Sequence, residues 1–322
     1  MTAKCNETRA NAESISERSL KWIDLTRPIV EGMSVYPGNP LFQLRAFAEH
    51  RVDGFRGSEI TLSSHLGTHV DFPYHFFIDG ETLDSFPVDF FIGRGAVVDF
   101  SSVAGPNSER RRTRNLGEAA ALRVEDVEPY ASIFSSASFV FLRVDWSSRF
   151  GERDYYTDFP SLSEEVCDWL LEFMNLRALG LETPSLVALP CDDANERLDD
   201  ETPSSPFHSE MEEFLPPAES RKRDEFKSAR LSDATFATLD SDATNADAEC
   251  HRILLGRRPA ILIIEGLMNL ERLPSFGPSD VVDGVASFDP SRTFEVSCLP
   301  LPIVGADGCP TRVVAGVRDD IV

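Results

Sequence analysis

Apolar and polar positions in this chain fall into blocks whose period changes along its length. The first twenty residues are polar and predict a frayed tail. "WIDLTRPIVEGMSVYPGNPLFQL" then predicts strand, turn and strand, with "YPGNP" as the turn. "GRGAVVDF" is a short apolar strand, and the charged run "NSERRRTRN" after it reads as a loop. "RVEDVEPYASIF" predicts a helix that Pro129 interrupts or ends.

The middle of the chain is the most regular. "SFVFLRVDW" is a continuous apolar run of strand length, which predicts a strand buried on both faces. "SLSEEVCDWLLEFMNL" opens with Ser161 and Glu164 spaced as a capping box. Val166, Trp169, Leu170 and Phe173 then give one apolar helical face. "RALGLETPS" returns to a strand that ends in a turn. This strand–helix–strand unit predicts a sheet covered by helices.

Between about residues 187 and 248 the pattern lapses into Asp, Glu, Ser and Pro with few apolar periods. That stretch reads as a surface insertion, either a lid or an inert decoration, rather than a second domain. Residues 21–322 thus form one interrupted domain behind a tail of residues 1–20. Order resumes in "AECHRILLGRRPAILIIEGLMNL", a short helix carrying His251 that stops near Gly256, then a buried strand running into Glu265. Further short strands follow in "FEVSCLPLPIVGADGCPTRVVAGV".

Composition narrows the function classes. With 42% hydrophobic and 26% charged residues, the chain is that of a soluble globular protein. Its formal net charge of −23 argues against nucleic acid and against anionic membrane surfaces as partners. The N-terminus has no apolar core of a signal peptide, and runs such as "FVFL" and "AILII" are too short to span a bilayer. Six scattered cysteines without a C-x-x-C pair suit a reducing cytoplasm, and Cys250 beside His251 reads as an incidental neighbour.

Chemistry concentrates in "SSHLGTHVDFPYHFF", residues 63 to 77. An even spread of six histidines would put about 0.2 in an eleven-residue window, yet His65, His69 and His75 share one with Asp71. Imidazole and carboxylate together are the usual ligands of zinc, manganese or iron. In a straight strand positions 65 and 69 would lie about 13 Å apart, but the glycine of "LGT" lets the backbone bend. His69 and Asp71, two apart, face the same side. A bent ribbon presenting His65, His69 and Asp71 to one metal is the expectation, with His75 beside it as a proton carrier. An acid directly after a buried strand, as Glu265 is, also calls for an ionic partner.

"HLGTHVDFPYHF" matches the H-x-G-T-H-x-D-x-P-x-H signature of the cyclase-like metal-dependent hydrolases, which include kynurenine formamidases (arylformamidases) and isatin hydrolases. The resemblance runs from about residue 23 to residue 318, broken by the acidic insertion. It implies an α/β fold of the swivelling β/β/α kind, a mixed sheet with flanking helices, assembled as homodimers or homotetramers. It implies that His65, His69 and Asp71 bind a first metal and that His75 is the catalytic acid/base. Asp71 would also bridge to a second metal held by His251 and Glu265, zinc being the family's usual ion and manganese the alternative. Tyr36 stands where the formamidases place a substrate-contacting tryptophan. Val144 and Asp145 replace the family's Thr-Gly before Trp146, and the interval from His251 to Glu265 is slightly longer.

The expected activity is metal-dependent hydrolysis of a small-molecule amide, N-formylkynurenine in tryptophan catabolism being the model substrate. Metal-activated water would attack the carbonyl, His75 would carry the proton to the departing nitrogen, and Glu265 would orient the water or bridge two metals. Isatin-type ring opening, or a cyclase or dehydratase with a single metal, is the enzymatic alternative. A purely structural metal site is the other, disfavoured because structural zinc prefers four closed ligands and no cysteine lies near the cluster. A scaffold role centred on the insertion is a third.

Overall fold

The apolar runs singled out above become the parallel centre of one sheet. A computed structural model describes residues 20–113, 121–152, 154–188 and 242–318. The polar tail before residue 20 and the insertion from 189 to 241 lie outside the described residues. In chain order the strands are β1 (Leu20–Asp24), β2 (Gln43–Ala48), β3 (Gly57–Thr61), β4 (His69–Asp71), β5 (Ile92–Asp99), β6 (Phe139–Arg143) and β7 (Ala178–Leu181). They continue as β8 (Leu262–Glu265), β9 (Ser275–Phe276), β10 (Val281–Val282), β11 (Val285–Ala286), β12 (Phe294–Ser297), β13 (Gly308–Pro310) and β14 (Val314–Arg318).

The main sheet has the order β1-β14-β12-β5-β6-β7-β8-β4-β13, with β9 also beside β5. β5 to β8 are mutually parallel and the short β9 pairs parallel with β5; β12 and β4 flank the four antiparallel. The four central strands are the most apolar, as strands covered on both faces must be, and Val140, Phe141, Leu179 and Ile263 are fully buried. Past β1, Leu25 donates to Val313 O (2.9 Å) and accepts from Met268 N (3.0 Å), so the two sides of the sheet curl toward each other. The fold is mixed α/β, as expected. No described helix is long and apolar enough to cross a membrane.

Four details differ from the sequence reading. The "NSERRRTRN" run contains a short helix, Glu109–Thr113, held by Arg110 on Asp126 (2.7 Å) and by Arg111 on Asp158. The helix Glu164–Leu170 is capped by Ser163, not Ser161, whose hydroxyl instead accepts from Ala188 N (2.9 Å). The helix carrying His251, Asp242–Gly256, is fifteen residues long, so helical order reaches into the stretch assigned to the insertion. Finally, β1 and β2 do not pair with each other: β1 joins the main sheet, and β2 folds on β3 as a separate hairpin.

That hairpin is amphipathic by register. Leu44 opposes Ile60 on one face, and Arg45 opposes Glu59 on the other. Ile60 is 60% exposed, and Val52 at the tip is 84% exposed. An isolated two-stranded hairpin is at best marginally stable in water, so its apolar face calls for a cover.

Candidate active site

The ribbon bends at the glycine the sequence provides. Gly67 has φ of +62°, which glycine adopts without strain. His65 therefore folds back toward β4, and the His65 and His69 rings meet edge to face with centroids 5.1 Å apart. β8 brings Glu265 directly opposite His69, and β13 brings Gly308 opposite Asp71. A Cβ at position 308 would lie 2.5 Å from the His65 ring, so only glycine leaves space for this imidazole. His251 arrives from the helix Asp242–Gly256.

Four side chains now aim at one point. His69 Nε2 lies 3.3 Å from Asp71 Oδ1 and 3.4 Å from Glu265 Oε2. His251 Nε2 lies 3.6 Å from Asp71 Oδ2 and 3.4 Å from Glu265 Oε1. Both Nδ1 atoms donate to backbone carbonyls, His69 to Gly67 O (3.1 Å) and His251 to Asp247 O (2.7 Å). That arrangement is the one that orients ligating histidines. It turns both Nε2 atoms toward buried carboxylate oxygens, and such a group is stable only with positive charge at its centre. Glu265 Oε1 is buried, with the 3.4 Å approach of His251 Nε2 too poorly aligned for a hydrogen bond, which leaves room for a further positive group. A divalent cation fits these donors.

A second set overlaps the first. Donor atoms of His65, Asp71 and His75 lie within 4.8 Å of one another, as do those of His69, Asp71 and Glu265. Asp71 belongs to both, so the residues accommodate one cation or two bridged by Asp71. All five ligands expected from the sequence come together, although His69 is grouped with Glu265 rather than with His65.

The electrostatics follow from burial. Desolvation alone would raise the Asp71 carboxyl, but His65 and His69, with hydrogen bonds from His251 and His65, hold it well below its usual range. Desolvation raises Glu265, and repulsion from Asp71 adds to this, against partial relief from His251 and His69. Burial would lower His65, yet Asp71 and Asp307 outweigh it and push the ring up to about 10.

Two acids escaped the sequence reading. Asp307 Oδ2 touches both His65 Nε2 (3.0 Å) and His75 Nδ1 (3.4 Å), and the two imidazoles stack with centroids 3.9 Å apart. Asp247 accepts from Ser185 Oγ (2.9 Å) and Val187 N (2.9 Å), so the turn after β7 is tied to the His251 helix. Its i, i+4 spacing from His251 was the available signal; Asp307 had none beyond its place in a Gly-rich turn. Tyr36 is half-buried, edge to face with Tyr156 at 5.8 Å, and Asn39 in the same turn donates to His65 O (3.4 Å).

A sequence model of the Cyclase family matches residues 23–187, just over half of the chain. The chain belongs to the cyclase family. The matched span includes the whole histidine ribbon and ends before His251 and Glu265 of this cyclase-family enzyme. A kynurenine formamidase of Bacillus cereus is 24% identical over 171 residues, 52% of this chain and 71% of that protein. Isatin hydrolase A from Labrenzia aggregata, bound to benzyl benzoate, has a TM-score of 0.56 at 20% identity, over 93% of this chain and 94% of that one. Isatin hydrolase A from Ralstonia solanacearum has a TM-score of 0.59 at 18% identity, over 93% and 92%. The structural likeness establishes the shared cyclase fold.

Proposed function

We propose that this enzyme hydrolyses the C–N bond of an aryl formamide, of which N-formylkynurenine, yielding kynurenine and formate, is the model. The observation that carries the reading is the convergence of His69, His251, Asp71 and Glu265 on one point with Glu265 Oε1 left without a hydrogen bond. These residues with His65 would hold one or two divalent cations, zinc before manganese. A cation bound there supplies Lewis acidity and makes water a nucleophile at neutral pH. His75 stands at the edge of the cluster, partly exposed, with Nδ1 against Asp307. Its Nε2 takes a proton from the attacking water and returns it to the leaving nitrogen. Glu265 positions the attacking water.

The kynurenine formamidase relative supports a linear amide. A cyclic amide opened by the same proton transfers is the second reading, favoured if the His65, Asp71 and His75 set holds a single ion. Metal analysis with stoichiometry, and turnover of N-formylkynurenine against isatin and simple lactams, test both. N-formylkynurenine should lead isatin by at least about tenfold in kcat/KM. Hydrolysis of neither by metal-loaded protein would overturn the reading.

The same proposal places the enzyme in a reducing cytoplasm, consistent with the free, buried thiols Cys167, Cys250, Cys298 and Cys309. It also makes the enzyme a homo-oligomer, with the β2–β3 hairpin docking on a second copy. The hairpin balances Arg45, Arg51 and Arg56 against Glu49, Asp53 and Glu59 in a chain of net charge −23. It therefore offers a neutral, apolar face where two acidic copies can meet. Ile60→Glu, which puts a carboxylate into that face, should shift sedimentation equilibrium from dimer or tetramer toward monomer. A wild-type chain that sediments as a monomer would sink the idea.

A further inference from the structure

Arg27 is only 8% exposed, and its Nε has no hydrogen-bond partner. No ion pair joins it to any described carboxylate. Arg111 and Arg149 also leave a buried nitrogen without a hydrogen bond, but each has a carboxylate: Arg111 pairs with Asp158, and Arg149 with Glu152 (2.9 Å) and Asp154. The Arg27 guanidinium makes a long contact from Nη2 to Ser147 O (3.5 Å), a stack over Phe150 at 3.8 Å and a more distant approach to the Tyr155 ring at 5.8 Å. A buried guanidinium without a counter-charge is costly unless an anion meets it.

Its position ties it to the reaction centre. Arg27 N donates to Thr68 Oγ1 (2.8 Å), and that hydroxyl donates to Gly266 O (2.8 Å). Thr68 precedes His69, and Gly266 follows Glu265. From Arg27 the chain runs along the metal-binding ribbon: Ile29 and Met33 pack over Gly67, and Asn39 bonds His65. A file of rings leads back from Tyr36 to Arg27. Tyr36 meets Tyr156 at 5.8 Å, Tyr156 meets Tyr155 at 4.9 Å, and Tyr155 meets Phe150 at 5.2 Å. The Tyr155 phenol feels both Arg27 and Glu265, so guanidinium and cluster act on one shared group.

We propose that Arg27 receives a carboxylate carried by the substrate, so that this centre takes anionic aryl amides. The proposal rests on the amide-hydrolase reading and narrows its substrate class. An acidic protein exerts no general attraction on an anion, so a local fork of N–H donors is what such a substrate needs.

The test compares 2-formamidobenzoate with formanilide, which lacks the carboxylate, on metal-loaded wild type, Arg27→Met and Arg27→Lys. The ratio of their kcat/KM values should fall at least about 20-fold in Arg27→Met and recover in part in Arg27→Lys. A merely structural arginine would lower both substrates together and leave the ratio unmoved, which overturns the proposal. Calorimetric binding of 2-aminobenzoate against aniline separates this idea from the activity. Tighter binding of the acid that depends on Arg27 supports the anchor even if no amide turns over, in which case the hydrolase reading alone falls. Equal affinity of wild type for the two ligands overturns the anchor, whether or not Arg27→Met folds.

Discussion

On the proposed function, an Asp71→Ala variant is expected to purify without a divalent cation and to lose more than about 100-fold in amide hydrolysis, beyond the usual cost of removing a mere hydrogen-bond partner of a ligand. Asp71 is the one residue common to both candidate donor sets, with an oxygen 2.7 Å from His65 Nδ1, 3.3 Å from His69 Nε2 and 3.6 Å from His251 Nε2. Deleting it removes the negative charge around which three imidazoles are arranged. The fold should survive, because Glu265 loses the repulsion that helps to raise its pKa and the apolar strands on either side are untouched. Metal content after dialysis, read beside the circular-dichroism spectrum, checks this. A folded variant that keeps its full complement of ions would show that the cation is held elsewhere.

His75→Ala should lower kcat by about 10²- to 10⁴-fold, the range for a lost general acid/base. His75 stands apart from the buried candidate ligands: its side chain is 31% exposed, and no strand depends on it. The variant should therefore fold and retain its metal, and that pairing of readouts gives the experiment its force. Rate loss with metal intact makes His75 the proton carrier. Rate loss together with metal loss makes it a ligand of the His65 and Asp71 set instead.

The candidate donor ribbon was legible because its members are local. Four chemical groups within eleven positions, with a glycine where a bend is needed, specify a site before any tertiary contact is known. Glu265 showed itself as an acid ending an apolar run, and His251 entered through family resemblance. Asp307 was not legible, since it reaches His65 across 242 residues, through the pairing of β4 with β13, and pattern alone does not give non-local register. Arg27 was not legible either, because an arginine beside a proline resembles a surface residue until its burial is seen. The misplaced helix cap has a simpler cause. Ser161 and Ser163 both precede the apolar face, and only the later one accepts from the backbone of the first helical turn.

β4 is three residues long and lies between two antiparallel neighbours, so its alignment is a binary matter. A slip of one position would turn His69 and Asp71 to the opposite side of the sheet, with no intermediate geometry in which they still reach Glu265. Misfolded molecules of this enzyme would then contribute nothing to turnover rather than a fraction, and the specific activity of a preparation would count its correctly registered chains.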